Sequence, residues 1–161
     1  MPSTPNGLNP TDAAIIRLLV QDGRLSASEI GRQIGVSPRT VRHRIEQLRE
    51  RGIIRVVTFV NPRALGYTIT ADIFCEVEMA QVETVAQQVM RFPQVSYVAC
   101  SIGDQDLSLQ AYFESTEALY NFTTQKLAQI PGIRKIRTVV VPKVLKSVYE
   151  WQLPQWAGPD E

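Results

Sequence analysis

Two tetrapeptides, Phe92-Pro93-Gln94-Val95 and Ile130-Pro131-Gly132-Ile133, stand 38 positions apart and share one pattern: apolar, proline, any residue, apolar. A helix-period stretch precedes each proline and a β-rich stretch follows it. Proline cannot continue a helix, so each tetrapeptide turns a helix into a strand at the same point of a repeated unit. Ahead of the first copy, Ala71, Ile73, Cys75, Val77 and Met79 alternate with Asp72, Phe74, Glu76 and Glu78, the period of a strand with one more polar face. Val82, Val85, Ala86 and Val89 then switch to helical spacing. Ahead of the second copy lie a strand-like run over 106–113 and a helical stretch over 115–129. Residues 102–105, Ile-Gly-Asp-Gln, join the strands 95–101 and 106–113 as a hairpin. A strand over 134–141 completes β-α-β-β-α-β, the ferredoxin-like order, and the domain is expected over 70–151. That strand leads past Pro142 to residues 144–151, and residues 152–161 read as a loose tail.

The first third of the chain follows helical rules. Asn9, Pro10 and Asp12 read as an N-cap, a proline at the first helical position and an early acid, ahead of Ile15, Ile16, Leu18 and Leu19. Asp22 and Gly23 stop that helix. Ser26 and Glu29 form a capping box for a short second helix with Ile30 and Ile34 inward, closed by Gly35. Ser37 and Pro38 open a third helix whose Val41, Ile45 and Leu48 share a face, ending before Gly52. Two short helices meeting across Gly35-Val36-Ser37 predict a helix-turn-helix, winged-helix-like domain over residues 1–54, joined through a β linker over 55–69. The fold class is α+β.

Charge separates the two parts. Residues 1–60 carry nine Arg and no Lys against five acids, and residues 61–161 carry eight basic residues against eleven acids, although the whole chain has a formal charge of +1. With Val41, Ile45 and Leu48 inward, a 100° step per residue turns Arg39, His43 and Glu46 outward, with Arg42 and Gln47 beside them. Arginine offers a fork matching guanine O6 and N7, and Arg44, Arg49, Arg51 and Arg55 on the flanks suit phosphates. Six Arg against two Glu between 39 and 55 fit a face for double-stranded DNA better than a surface of balanced ion pairs. Ser37, Arg39, Thr40, Arg42, His43, Arg44, Gln47, Arg49 and Arg51 are the candidate DNA-binding residues. Glu46 either selects cytosine or pairs with Arg42 or Arg49.

Other chemistry lacks its residues. His43 is the only histidine, and Gly-x-Gly-x-x-Gly, P-loop and Cys-x-x-Cys motifs are absent, so no catalytic residue, metal or cofactor is expected. The nearly apolar stretch 13–20, broken by Arg17, is far shorter than the ~20 residues of a membrane helix. The first residues carry neither the basic start nor the apolar core of a secretory signal. These features predict a cytoplasmic protein with two reduced, buried thiols, Cys75 and Cys100. Gly103-Asp104-Gln105-Asp106 begins like a calcium loop, but Leu109 and Ser115 stand where its glycine and glutamate belong. The turn is either a plain hairpin or a site where carboxylates hold an ammonium group and backbone N–H groups hold a carboxylate.

The sequence resembles the leucine-responsive regulator and AsnC (Lrp/AsnC, feast/famine) family of transcription regulators over residues 8 to about 151. The resemblance is carried by Leu8, Asp12 and Ile15, by Asp22-Gly23-Arg24, by Gly35-Val36-Ser37-Pro38 with Thr40-Val41, Arg44-Ile45 and Leu48, and by Gly52-Ile53-Ile54. It continues in Asn61-Pro62, Leu65-Gly66, Gly103-Asp104 with Asp106-Leu107, and Pro131-Gly132-Ile133. It implies a sequence-specific DNA-binding regulator whose C-terminal domain assembles homodimers, often into octamers, and binds an amino acid or related metabolite between dimers. Carried over by position, the effector residues are Cys100, Gly103, Asp104, Asp106 and, on a neighbouring strand, Val139, Val140 and Val141. Leu107 stands where the family often has tyrosine. Siroheme decarboxylases resemble the same family but use histidine chemistry, for which the C-terminal half has no residue. Strands with apolar residues on both faces, such as Phe74 opposite Ile73, together with Val139 to Val141, Tyr149 and Trp151, predict a symmetric dimer.

Overall fold

A computed structural model describes residues 7–146, which fall into two units, 7–59 and 60–146. Tyr149, Trp151 and the expected tail lie outside the described residues.

In the first unit α1 spans Pro10–Gln21, α2 Ala27–Ile34 and α3 Pro38–Glu50. Each start is fixed by a side chain that satisfies helix N–H groups otherwise left without partners. The Asp12 N–H donates to Asn9 Oδ1 at 2.8 Å while the Asn9 N–H donates to Asp12 Oδ2 at 3.1 Å. Ser26 and Glu29 repeat this reciprocal box on α2, which ends at Gly35 with φ of 72°. On α3, the Thr40 N–H donates to Ser37 Oγ at 3.1 Å. The faces so aligned bury Leu8, Ile15, Ile16, Ile30, Val41 and Leu48 in one core, with Ile34 and Ile45 half-buried against it. Residues 55–60, expected to be β, form no strand, and Val56, Val57, Phe59 and Val60 are each more than half exposed. Strand preference expresses packing on a sheet surface, so a β-rich composition alone forms no ladder.

In the second unit, after a 3₁₀ turn over Pro62–Leu65, come β1 (Ile69–Val77), α4 (Val82–Val89), β2 (Val95–Cys100), β3 (Leu107–Phe113), α5 (Thr116–Asn121) and β4 (Ile133–Val141). The antiparallel sheet has the order β2-β3-β1-β4. Ala71, Ile73, Cys75 and Val77 of β1 and Leu107, Leu109, Ala111 and Phe113 of β3 face a helical layer contributing Val85, Val89, Leu119, Phe122 and Leu127. The opposite face carries Asp72, Phe74 and Glu76 beside Ser108, Gln110, Arg137 and Lys135.

Three local expectations are corrected. β1 ends at Val77, and Met79 is 82% exposed in a 3₁₀ turn; a register shift at Glu76 and Val77 ends the ladder with β4 there. The single helix expected over 115–129 is α5 followed by a π segment (Phe122–Lys126) and a 3₁₀ turn (Leu127–Gln129). The Thr123 and Thr124 hydroxyls donate to the Leu119 and Tyr120 carbonyls, competing with the α-helical pattern. The cysteines differ, since Cys75 is buried and Cys100 exposed. Burial pushes the Cys75 thiol up to about 11, leaving little thiolate at neutral pH. Alkylation of the native chain should therefore spare Cys75 until the chain is unfolded, and mass spectrometry showing rapid native labelling there would contradict this packing.

Candidate nucleic-acid interface and effector turn

Helix α3 is anchored by Val41 and Leu48, both at 0% exposure, and this orients the rest of its surface. Arg39, Arg42, His43, Glu46 and Arg49 are exposed. Arg49 pairs loosely with Glu46, Nη1 to Oε2 3.6 Å, which matches one of the two roles open to Glu46. Ser37 and Thr40 are exposed at the N-terminus of α3, with 2.8 Å between their hydroxyl oxygens, and Arg51 caps its C-terminus.

Arg44 departs from its expected place on a phosphate-facing flank. Its guanidinium turns back onto α1, where Nε donates to Asp12 Oδ1 at 2.7 Å and Nη2 bonds Oδ2. Its Nη1 donates to Gln47 Oε1 at 2.8 Å. Asp12 is fully buried. Burial, the largest influence on its carboxyl, pushes the pKa up, but the Arg44 bond, the Asn9 N–H and the charges of Arg44 and Arg51 together hold it below 3.8. A buried carboxylate thus stays ionised because a guanidinium and a helix start both favour its charge. In the sequence Asp12 reads as an early acid of the helix and as part of the family pattern, with no sign of its bond to Arg44.

On the second unit, Gly103 adopts φ of 142°, a conformation that favours glycine, and Asp104 beside it is exposed. Asp106 has a structural duty. The Val77 N–H donates to its Oδ2 at 2.7 Å, its own N–H donates to the Cys75 carbonyl at 3.0 Å, and the Ser101 N–H donates to its carbonyl at 2.8 Å. One carboxylate oxygen therefore closes the end of β1. A cleft of about 210 Å³ opens beside the turn, lined by Phe74, Glu76, Asp104, Gln105, Lys135 and Arg137. In it Lys135 Nζ lies 2.9 Å from Glu76 Oε1, and the Arg137 guanidinium sits 4.7 Å over the Phe74 ring. The sequence places Phe74 and Glu76 on one strand face but gives no sign of Lys135 and Arg137 beside them, because only the register of β1 against β4 brings the four together.

The chain does not gather all the expected effector residues. The turn is bonded to Cys75 and Val77, whereas Val139, Val140 and Val141 pair with Asp72, Ala71 and Thr70. At about 3.3 Å per residue this places them roughly 10–20 Å further along β1. Val139 and Val141 share the open face with Phe74, while Val140 points to the helical side.

Comparison with known proteins agrees across both units. A profile described as Lrp/AsnC ligand binding domain matches residues 70–151, and one described as winged helix-turn-helix DNA-binding matches residues 8–55. An uncharacterised HTH-type transcriptional regulator of Pyrococcus horikoshii is 37% identical over 145 residues, 89% of each chain. The HTH-type transcriptional regulator FL11 of Pyrococcus furiosus is 34% identical over 144 residues, 89% of this chain and 95% of that one. Among solved structures, a Neisseria meningitidis transcriptional regulator in complex with L-Met is 26% identical at a TM-score of 0.82, covering 92% of this chain and 97% of the other. E. coli AsnC, at 23% identity, shares the fold with a TM-score of 0.79 over 88% and 98% of the two chains.

Proposed function

Because the chain belongs to the Lrp/AsnC family of helix-turn-helix transcription regulators, we propose that residues 1–54 read double-stranded DNA and that residues 70–151 form an assembly and effector domain, joined through 55–69. The observation that carries this is α3 itself, buried on Val41 and Leu48 while Arg39, Arg42 and His43 stand outward from a capped three-helix unit. Such a helix fits the major groove, where arginine forks match guanine and flanking cations meet phosphates. Among the described residues no helix is long and apolar enough to cross a membrane; we place the protein with DNA in the cytoplasm, as a regulator and not an enzyme.

Selection from a randomised duplex pool should yield an enriched sequence. Against that duplex Arg39→Ala should cost about 1–3 kcal/mol and relax specificity, whereas Arg51→Ala should weaken all sequences alike and reduce the salt slope. Equal losses on selected and shuffled duplexes for both variants would refute the assignment.

The effector is an amino acid or a related zwitterion. Backbone N–H groups at Gly103 and Asp104 suit its carboxylate, and the Asp104 and Asp106 carboxylates suit its ammonium group. Since Val139 to Val141 lie far along the sheet from this turn, a site using both sets draws on two subunits. This supports a symmetric dimer, extending to an octamer, with the open sheet face buried between chains. Light scattering at micromolar concentration should report a dimer or larger, and a monomer would end that proposal. In a thermal-shift screen of the amino acids, a ligand at 100 times its Kd adds ~2.7 kcal/mol. Asp104→Ala is the cleaner variant for abolishing that shift, because Asp106 also holds Val77.

A further inference from the structure

Asp12 is buried at 0% exposure, and its two oxygens between them tie the start of α1 to α3. From α1 the Asn9 N–H donates to Oδ2 at 3.1 Å; from α3, Arg44 donates Nε to Oδ1 at 2.7 Å and Nη2 to Oδ2. The remaining guanidinium nitrogen, Nη1, donates to Gln47 Oε1 at 2.8 Å. One line of bonds thus runs from the start of α1 to a half-buried side chain on α3. Two consequences follow from counting donors and acceptors. The charge of Arg44 is committed to Asp12 inside the unit, and the Gln47 carbonyl is committed to Arg44, so that the Gln47 Nε2 group is left to donate outward.

We propose that Asp12 and Arg44 are positioning residues for DNA reading: the pair fixes α3 against α1 and holds the Gln47 amide with its donors outward, while neither member contacts the nucleic acid. This rests on the DNA-reading assignment above. The effect on binding is selective for a physical reason. Base contacts weaken steeply when a donor moves by a few tenths of an ångström or tilts, whereas attraction to phosphates is screened over about 8–10 Å and tolerates such a shift. Loosening the pair therefore erodes specificity and leaves the electrostatic component in place. A phosphate-contacting Arg44 would give the opposite pattern, a uniform loss with a smaller salt slope.

The test uses the full chain and the duplex it enriches from a randomised pool, with a shuffled duplex as reference, titrated between roughly 50 and 200 mM salt. The double variant Asp12→Asn/Arg44→Met removes both charges together, avoiding the stranded ion that either single neutral replacement leaves, and its circular dichroism melt confirms folding. Arg44→Lys keeps the charge without the fork. Both should retain the wild-type salt slope while the ratio of selected to shuffled affinity falls about five-fold or more. A slope reduced by about one in the double variant would show that Arg44 neutralises a phosphate and overturn the proposal. An unchanged ratio in a folded double variant would overturn it too, leaving the pair purely structural. If the wild-type chain enriches no sequence, the DNA-reading assignment itself falls, an outcome visible before any variant is made.

Discussion

Asp12→Ala should lower the stability of the N-terminal unit by about 2–4 kcal/mol, the sum of a stranded guanidinium and the lost carboxylate half of the capping box, the Asn9 N-cap itself being kept. A buried pair broken on one side usually costs more, but the Arg44 side chain is 22% exposed and partly rehydrates. The sign of the pH dependence follows from the direction of the shift. The folded state holds the Asp12 carboxyl below 3.8, so its contribution is complete above that pH and is lost as the pH falls through the lower, folded-state value. Acidification below 3.8 should therefore destabilise the wild-type unit more steeply than the Ala variant. Hydrogen exchange at the α1 and α3 amides, read from neutral to acid pH, separates this from effects on the second unit. Equal protection in the two proteins at neutral pH would show that the pair contributes nothing.

Local rules made much of this molecule legible. The caps of α1, α2 and α3 each join residues three positions apart, a distance at which sequence and structure are nearly the same information. Periodicity likewise carried the βαββαβ order, since alternation over Ala71 to Val77 and helical spacing over Val82 to Val89 each signal one face toward a common core. What escaped were second partners far along the chain. Arg44 bonds a residue 32 positions away, and from sequence alone its charge reads as one more cation on a basic helix. Asp106 sits three positions after a glycine in a turn and reads as a ligand, yet its carboxylate serves Val77, 29 positions away. Gly31 gave no signal at all. A Cβ there would lie 2.5 Å from the Val36 carbonyl oxygen, so the tight turn between α2 and α3 depends on a missing side chain. Strand register was hidden in the same way: it separates Val139 to Val141 from the Gly103 turn and brings Lys135 and Arg137 to its cleft instead.

Phe122→Ala should be the most damaging single change in the second unit, at about 3–5 kcal/mol. The ring is 2% exposed and meets Phe92 edge-on at 5.2 Å and 85°, with Phe113 tilted against it at the same distance. Its three neighbourhoods come from different parts of the chain. Phe92 opens the first repeated proline tetrapeptide, Phe113 ends β3, and Phe122 begins the π segment where the Thr123 and Thr124 hydroxyls hold the Leu119 and Tyr120 carbonyls. Partial collapse reduces the cost of a cavity, and here collapse is opposed on two sides. Phe113 is fixed in the β1–β3 ladder through its pairing with Ile69, and the hydroxyl bonds hold the helix in its widened form. The cost therefore belongs in the upper part of the range for large-to-small changes, and the aromatic contacts contribute beyond the area they bury. Phe122→Leu, which keeps most of the volume, should cost under about 1.5 kcal/mol. Calorimetry should show the transition of the second unit falling by more than about 10 °C in the Ala variant, while amide protection in α1 and α3 is retained because Ile15, Ile30, Val41 and Leu48 form a separate core. A shift below about 4 °C would mean that the sheet and its helices close over the vacated space, against the rigidity argued from the ladder and the π segment.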